Sequence, residues 1–104
     1  MKVVKWTRTA RITLKETSSF ILTVWNSDVN EAFITQLDYR IRQLQNNPAL
    51  GSVFKNSQIR RLTIHKTVSL FYTNTSQHIK LLVIWDNRQN PDRLLKKLTK
   101  ASDL

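Results

Sequence analysis

The spacing of hydrophobic and polar residues changes along the chain, and these changes indicate where helices and strands begin and end. Residues 2–7 are rich in β-branched and aromatic side chains, which predicts a short strand. Residues 9–26 are ambiguous, because their apolar positions recur at helical spacing while residues 17–25 have poor helix propensity. We predict a helix over 9–26, since neither Gly nor Pro interrupts it, and a strand over 17–25 is the alternative.

The next segment has the pattern of a second helix. Asp28 followed by Glu31 resembles a capping box at its start. Pro48 disfavours helical geometry at Asn47, so the helix should end just before them. The joint between the two predicted helices is short, which favours an antiparallel helical hairpin. The apolar stripe of the second helix consists of Ala32, Phe33, Leu37, Ile41 and Leu44.

Three strand-like runs follow a predicted loop at residues 47–57. Residues 59–65 and 68–73 have two faces of side chains each, whereas 79–85 is almost wholly apolar, as a central strand would be. The links between these runs are short enough for hairpins, so we expect an antiparallel meander. Residues 91–100 then predict a last helix with leucines on one side and lysines on the other.

Together these elements predict one α+β domain over residues 1–104. An N-terminal strand and a helical hairpin should pack on a twisted, mainly antiparallel four-stranded sheet, with a short C-terminal helix. The longest apolar run, Leu81–Trp85, is far too short for a membrane span, so we expect a cytoplasmic protein with no membrane partner. The three tryptophans, Trp6, Trp25 and Trp85, are expected in the core.

Composition excludes several kinds of site. The chain has no Cys, two His and one Gly, at Gly51. Thiolate metal sites, glycine-rich phosphate loops and HExxH zinc sites therefore cannot be written in this sequence. We expect neither a metal nor another cofactor.

Positive charge is concentrated in the second half of the chain. Seventeen Lys and Arg face seven Asp and Glu, for a net charge of +10. Residues 1–50 hold seven bases and four acids, whereas residues 51–100 hold ten bases and two acids. A basic protein of this kind attracts nucleic acid, an acidic protein or an anionic membrane, although its lysines can also serve only to solvate it. The predicted nucleic-acid contacts are Lys55, Lys66, Lys80 and Arg93.

Five short motifs occur in a fixed order along the chain. They are Val4-Lys5-Trp6 followed closely by Ala10, Asn47-Pro48-Ala49-Leu50-Gly51, Arg60-Arg61-Leu62, Leu70-Phe71-Tyr72, and residues 85–91, Trp-Asp-Asn-Arg-Gln-Asn-Pro. In this order the chain resembles the RelE/ParE superfamily of bacterial type II toxins over about residues 2–95. The resemblance implies a cognate antitoxin that wraps and neutralises the toxin in a hetero-oligomer, and a role in plasmid stabilisation. The charge of the chain suggests that this antitoxin is acidic.

The resemblance leaves two targets open. RelE-like members cut mRNA in the ribosomal A site without a metal, whereas ParE-like members block DNA gyrase and have no hydrolytic chemistry. On the strength of its charge and of Arg88, we expect a RelE-like, ribosome-associated mRNA endonuclease. A ParE-like gyrase inhibitor is the alternative, and a basic nucleic-acid-binding module without toxicity is a further one.

RNA cleavage through the 2′-hydroxyl needs a base, an acid and cations that stabilise the phosphate. The resemblance puts Arg88 on the basic residue after the last strand, and Arg60 or Arg61 near the basic residues of the first meander strand. His65 can serve as acid or base near neutral pH, although the motif has no histidine there. The predicted catalytic residues are Arg60, Arg61, His65, Tyr72 and Arg88.

Two positions depart from the nuclease pattern. RelE-like nucleases usually show Tyr-Arg-x-x-Tyr where residues 68–72 read Val-Ser-Leu-Phe-Tyr, so Ser69 replaces an arginine. Asp86 stands where many nucleases have a histidine. Structural roles are therefore also open, with Arg88 paired to Asp86, Tyr72 in the core and His65 exposed at a hairpin turn.

Overall fold

The computed structural model describes residues 1–102, so residues 103 and 104 of the predicted domain lie outside the described residues. Its elements occur in the predicted order. They are β1 Val3–Trp6, α1 Arg8–Val24, α2 Ser27–Asn46, β2 Ser52–Val53, β3 Ile59–His65, β4 Val68–Asn74, β5 His78–Asp86 and α3 Pro91–Ser102.

The strands form one sheet in the order β1-β5-β4-β3-β2. Strands β3, β4 and β5 make the predicted antiparallel meander, and β1 joins it parallel to β5. The α+β fold class is therefore confirmed. The sheet has five strands rather than four, because the two residues of β2 pair with Arg60 and Arg61 at its edge. A two-residue strand is too short to leave a period in the sequence, and β2 was predicted as loop.

Helix α1 confirms the helical interpretation of residues 9–26. Its first turn is capped by Thr7, whose hydroxyl oxygen accepts a hydrogen bond of 3.0 Å from the amide of Ala10. The threonines that lower its helix propensity lie on its buried face, at Thr9, Thr13 and Thr17. Burial against the sheet therefore outweighs intrinsic propensity in this segment.

Helix α2 ends at Asn46 as predicted, but its start differs from the prediction. Asn26 is the N-cap, and its side-chain oxygen accepts a hydrogen bond of 2.9 Å from the amide of Val29. The helix begins at Ser27, one residue before the Asp28 of the predicted capping box. The tight joint with α1 brings Asn26 to this place, and Asn is as good an N-cap as Asp.

The sheet is covered on both faces. The hairpin of α1 and α2 packs on one face, where Leu70, Tyr72 and Leu81 are fully buried. Helix α3 packs on the other through Leu94 and Leu98, whereas Leu95 is partly exposed. The α3-side core comprises Phe71, Leu82, Val83, Trp85, Leu94, Leu98 and Ala101.

A β-bulge explains how β5 fills both cores. The register between β4 and β5 shifts after Phe71, which pairs with Val83, while Tyr72 pairs with Leu81. Leu82 is the extra residue, so Leu82 and Val83 both lie in the α3-side core. Strand β5 thus contributes apolar side chains to both hydrophobic cores.

One of the three tryptophan predictions is wrong. Trp85 is buried in the α3-side core, and Trp6 packs partly buried against the hairpin-side core. Trp25 is 52% exposed at the joint of the helical hairpin, where it is the C-cap of α1.

No helix within the described residues is both long enough and apolar enough to cross a membrane.

The second half of β5 has no neighbouring strand on its β1 side, and threonine side chains at the start of α1 bind its backbone there instead. The pairing of β1 with β5 stops at Leu81. Beyond it, the Thr7 hydroxyl donates to the carbonyl of Leu82 at 3.2 Å, and the amide of Ile84 donates to the Thr13 hydroxyl at 3.0 Å. The Thr13 hydroxyl in turn donates to the carbonyl of Thr9 at 2.8 Å. The buried threonines therefore satisfy backbone groups that would otherwise lack partners.

We expect Thr13→Val to lower the free energy of unfolding by about 1–3 kcal/mol, because it leaves the buried amide of Ile84 without an acceptor. Thr23→Val is the matched control, since Thr23 lies on the exposed side of the same helix and bonds only the carbonyl of Ser19. The control should stay within about 0.5 kcal/mol of the wild type. Urea unfolding followed by circular dichroism measures both. Equal stability of the two variants would contradict a role for Thr13 at the β5 edge.

Candidate functional site

The five residues predicted to be catalytic lie at three separate places. Arg60 and Tyr72 contact the loop that follows α2. Arg61 is next to Arg60 on β3 and projects to the opposite face, where it pairs with Phe71. His65 and Arg88 line a cavity beside the joint of the helical hairpin.

Tyr72 ties the loop at residues 47–51 to the sheet. Its hydroxyl donates to the carbonyl of Pro48 and accepts from the amide of Gly51, both at 2.8 Å. The side chain is fully buried. Burial raises the pKa of the Tyr72 hydroxyl, while the bond from Gly51 and the nearby charge of Arg60 act in the opposite direction. The hydroxyl is therefore a neutral structural bridge at neutral pH.

Arg60 is bound to the same loop. Its Nη1 donates to the carbonyl of Gly51 at 2.6 Å and to the carbonyl of Ala49 at 3.3 Å. A Cβ atom at Gly51 would lie 2.8 Å from the Tyr72 ring and 2.9 Å from the carbonyl of Arg61. The one glycine of the chain is thus required by the close approach of the loop to the sheet.

Arg61 lies on the face of the sheet that α3 covers in part. Together with Lys55 and Asn87 it lines a cavity of about 250 Å³. Asn87 donates to the hydroxyl of Ser69 at 2.8 Å. Ser69, the residue in the place of the nuclease arginine, is fully buried, so it offers nothing to a substrate phosphate.

Arg88 is held by Asp86 in a two-pronged ion pair. Its Nε donates to Oδ1 of Asp86 at 3.1 Å, and its Nη2 donates to Oδ2 at 2.7 Å. The Asp86 side chain is 6% exposed, whereas that of Arg88 is 53% exposed. The hydrogen bond from Arg88 lowers the pKa of Asp86, against the opposing effect of burial. The structure thus contains the ion pair that was the structural alternative for Arg88.

The cavity that His65 and Arg88 share is mostly apolar, and its charged lining residues are Lys66 and the Arg88–Asp86 ion pair. It measures about 230 Å³ and lies under Trp25, between α1, α2 and the β3–β4 turn. Lys66, at that turn, lies over the Trp25 ring with its Nζ 5.4 Å from the ring centroid. His65 is half-buried, not the exposed turn residue that its position suggests.

The four residues predicted to contact nucleic acid do not form one surface. Lys55 precedes β3 and lies 5.7 Å from the Phe54 ring, whereas Lys66 follows the opposite end of that strand. Lys80 lies on β5, and Arg93 lines a groove between α1 and α3. Their proposed role in binding nucleic acid stays a prediction.

Within residues 1–102, no group of three or more His, Asp or Glu side chains is placed to hold a metal ion.

Sequence reasoning missed a group of exposed apolar side chains at the C-terminal end of α1. We name it the hairpin end, and it consists of Phe20, Leu22, Val24 and Trp25, each about half exposed. The available signal was that Phe20, Leu22 and Val24 fall off the stripe formed by Ala10, Leu14 and Ile21. Exposed aromatic side chains are common in protein–protein contact surfaces.

Comparisons with known proteins agree on one family. Residues 4–91 match the family model described as ParE toxin of type II toxin-antitoxin system, parDE. A solved structure titled "Chromosomal ParDE TA system from P. aeruginosa" has the same fold, with a TM-score of 0.68 and 21% sequence identity. That match covers 81% of this chain and 94% of the other. No curated protein matches the chain.

We expect Tyr72→Phe to lower the free energy of unfolding by about 1–3 kcal/mol, because it leaves the amide of Gly51 and the carbonyl of Pro48 without their partner. Tyr39→Phe is the control, since the Tyr39 side chain is 53% exposed and accepts one long bond from Gln43. Urea unfolding followed by tryptophan fluorescence compares the two. Loss of stability in Tyr39→Phe alone would contradict the bridging role of Tyr72.

The lowered pKa of Asp86 makes a contribution to stability that depends on pH. A carboxyl group with a depressed folded-state pKa stabilises the fold above its unfolded value of 3.8, and this contribution is lost as the pH falls through the folded value. We therefore expect Arg88→Ala to be less stable than the wild type at pH 7, and the difference should be small because solvent screens the exposed Arg88 guanidinium.

The difference between Arg88→Ala and the wild type should shrink as the pH falls below 3.8, and urea midpoints across that range measure it. Arg42→Ala is the control, because it removes the partner of Asp38, whose side chain is 60% exposed. A difference in urea midpoint between Arg88→Ala and the wild type that stays constant down to the lowest pH would contradict the assignment of this pH dependence to Asp86.

Proposed function

Since the chain belongs to the ParE toxin family of type II toxin-antitoxin systems, we propose that it is a toxin that binds and inhibits DNA gyrase and does not cleave RNA. The proposal takes the second of the two targets that the sequence left open. A cognate antitoxin is its family partner, and the net charge of +10 favours an acidic antitoxin that forms a hetero-oligomer with the toxin. Gyrase inhibition also requires that the toxin act in the cytoplasm.

The observation that carries the proposal is that Tyr72 and Arg60 already form hydrogen bonds within the protein. Both hydrogen-bonding directions of the Tyr72 hydroxyl are taken by backbone groups of the 47–51 loop. The Arg60 guanidinium is bound to carbonyls of the same loop. A residue that must hold a loop in place cannot also move a proton or clamp a phosphate without giving up that loop.

The other candidates support the same conclusion. The fork of Arg88 already binds a carboxylate, and that negative charge would repel a substrate phosphate beside it. Arg61 lies on a different face from Arg60, and the arginine that would complete a nuclease strand is the buried Ser69. His65 and Arg88 do share one cavity, but Arg60 and Tyr72 lie elsewhere, at the 47–51 loop. A base, an acid and a set of phosphate-binding cations are therefore not all gathered around one point, as cleavage requires.

A gyrase inhibitor needs only a binding surface, and the hairpin end offers one. Each of its four apolar side chains is about half exposed, and Lys66 places a positive charge over the Trp25 ring. Aromatic residues of this kind commonly dominate the energy of protein–protein contacts. We therefore expect the hairpin end to contribute to target binding.

The test compares supercoiling by purified gyrase with a map of mRNA 5′ ends in induced cells. The wild-type toxin should block supercoiling, and cellular mRNA should show no codon-positioned cuts. Trp25→Ala should weaken gyrase inhibition by roughly tenfold or more, as expected for a central aromatic contact. Because the Trp25 side chain is half exposed, we expect the Trp25→Ala variant to fold. Leu95→Ala, which shortens another partly exposed apolar side chain, is the control.

Two results would overturn the proposal. Codon-positioned cuts in mRNA that appear with the wild type, and whose frequency falls by tens to several hundredfold in Arg88→Ala, would support the nuclease hypothesis instead. A protein that neither cuts mRNA nor inhibits gyrase, yet binds nucleic acid, would favour the basic nucleic-acid-binding module.

A further inference from the structure

A group of cations lies where β1 meets β5, on the face of the sheet opposite the helical hairpin. Lys5 of β1 is directly paired with Lys80 of β5 in the parallel register. Their neighbours along the strands, Trp6 and Leu81, pack into the hairpin-side core. Because side chains alternate along a strand, Lys5 and Lys80 project together from the opposite face.

The two lysines form one wall of a cleft, which we name the basic cleft. Its volume is about 490 Å³, and its lining residues are Lys5, Trp6, Thr7, Arg8, His78 and Lys80. No carboxylate is among them. Lys80 and His78 are half-buried, whereas Lys5 and Arg8 are exposed.

The cations of the basic cleft have no anionic partner in the described part of the chain. The three ion pairs found there join Arg42 to Asp38, Arg88 to Asp86 and Lys97 to Glu16. Like charges directly opposite each other on paired strands are destabilising, and the partial burial of Lys80 adds a desolvation cost. An arrangement that is unfavourable in the free protein is relieved when an anion enters between the charges.

We infer that the basic cleft binds the phosphodiester backbone of a nucleic acid. Two ammonium groups and one guanidinium converge there, and Lys and Arg supply most contacts to phosphate oxygens. An acidic peptide fits less well, because peptide docking commonly relies on apolar anchors and the lining offers only the half-buried Trp6. The inference is independent of the proposed target, since contacts of this kind carry no sequence information.

The basic cleft joins residues that sequence reasoning left apart. Lys80 was among the predicted nucleic-acid contacts, but Lys5 and Arg8 were not. They come from the N-terminal half of the chain, which has the smaller excess of positive charge, and only the parallel pairing of β1 with β5 brings them to Lys80.

The test measures binding of short labelled duplex DNA and of single-stranded RNA by fluorescence anisotropy, from about 50 to 200 mM salt. The double variant Lys5→Gln/Lys80→Gln should weaken binding of one or both by roughly tenfold. It should also reduce the salt slope for duplex DNA by about 1.8, the value for two lost phosphate contacts. The control is Lys96→Gln/Lys100→Gln, which removes the same charge from the exposed side of α3. It should change affinity by less than about threefold, and the DNA and RNA arms identify which nucleic acid is preferred.

A second variant separates loss of binding from loss of folding. Lys5→Glu places a carboxylate opposite Lys80, so it should raise the thermal midpoint of the free protein while it abolishes binding. Equal loss of affinity in the α3 control would overturn the inference, because it would mean diffuse attraction to net charge. Unchanged nucleic-acid binding in the double variant, with weakened binding of polyglutamate, would also overturn it and assign the cleft to an acidic protein segment.

Discussion

The fold depends on the need to cover β5 on every side. Its run from Ile79 to Trp85 is almost wholly apolar, so the strand is stable only when both of its faces are buried. The helical hairpin covers one face and α3 the other, while the bulge at Leu82 divides the apolar side chains between the two cores. Where β1 stops, the threonines of α1 take the place of the next strand, which explains why a helix rich in threonine packs there.

Covering both faces leaves the polar residues of the meander with structural tasks. Tyr72 and Arg60 secure the loop that carries the chain from α2 into the sheet, and Ser69 is buried beneath Asn87. Arg88 pairs with Asp86 at the end of β5. Three of the five residues whose types suggest catalysis, Arg60, Tyr72 and Arg88, therefore already have partners within the protein. We expect interactions with other molecules at the surfaces between the covered regions.

Two such surfaces differ in chemistry. The hairpin end holds four half-exposed apolar side chains near the joint of α1 and α2, which suits contact with a protein. The basic cleft lies at the β1–β5 junction and holds cations without carboxylates, which suits a polyanion. The proposed target, gyrase, acts on DNA, so the proposed function has use for both kinds of contact.

The sequence by itself determined the element order, the α+β class, the meander and the family resemblance, because the spacing of apolar residues and the turn residues are local signals. The sequence also allowed both a catalytic role and a structural ion pair for Arg88, since Asp86 is only two residues away. Tertiary structure alone decided which residues meet. Arg60 and Arg61 are adjacent in sequence but lie on opposite faces, whereas Lys5 and Lys80 are distant in sequence but lie side by side. Strand pairing and the bulge set these relations, and both depend on the packing of the whole sheet rather than on any local pattern.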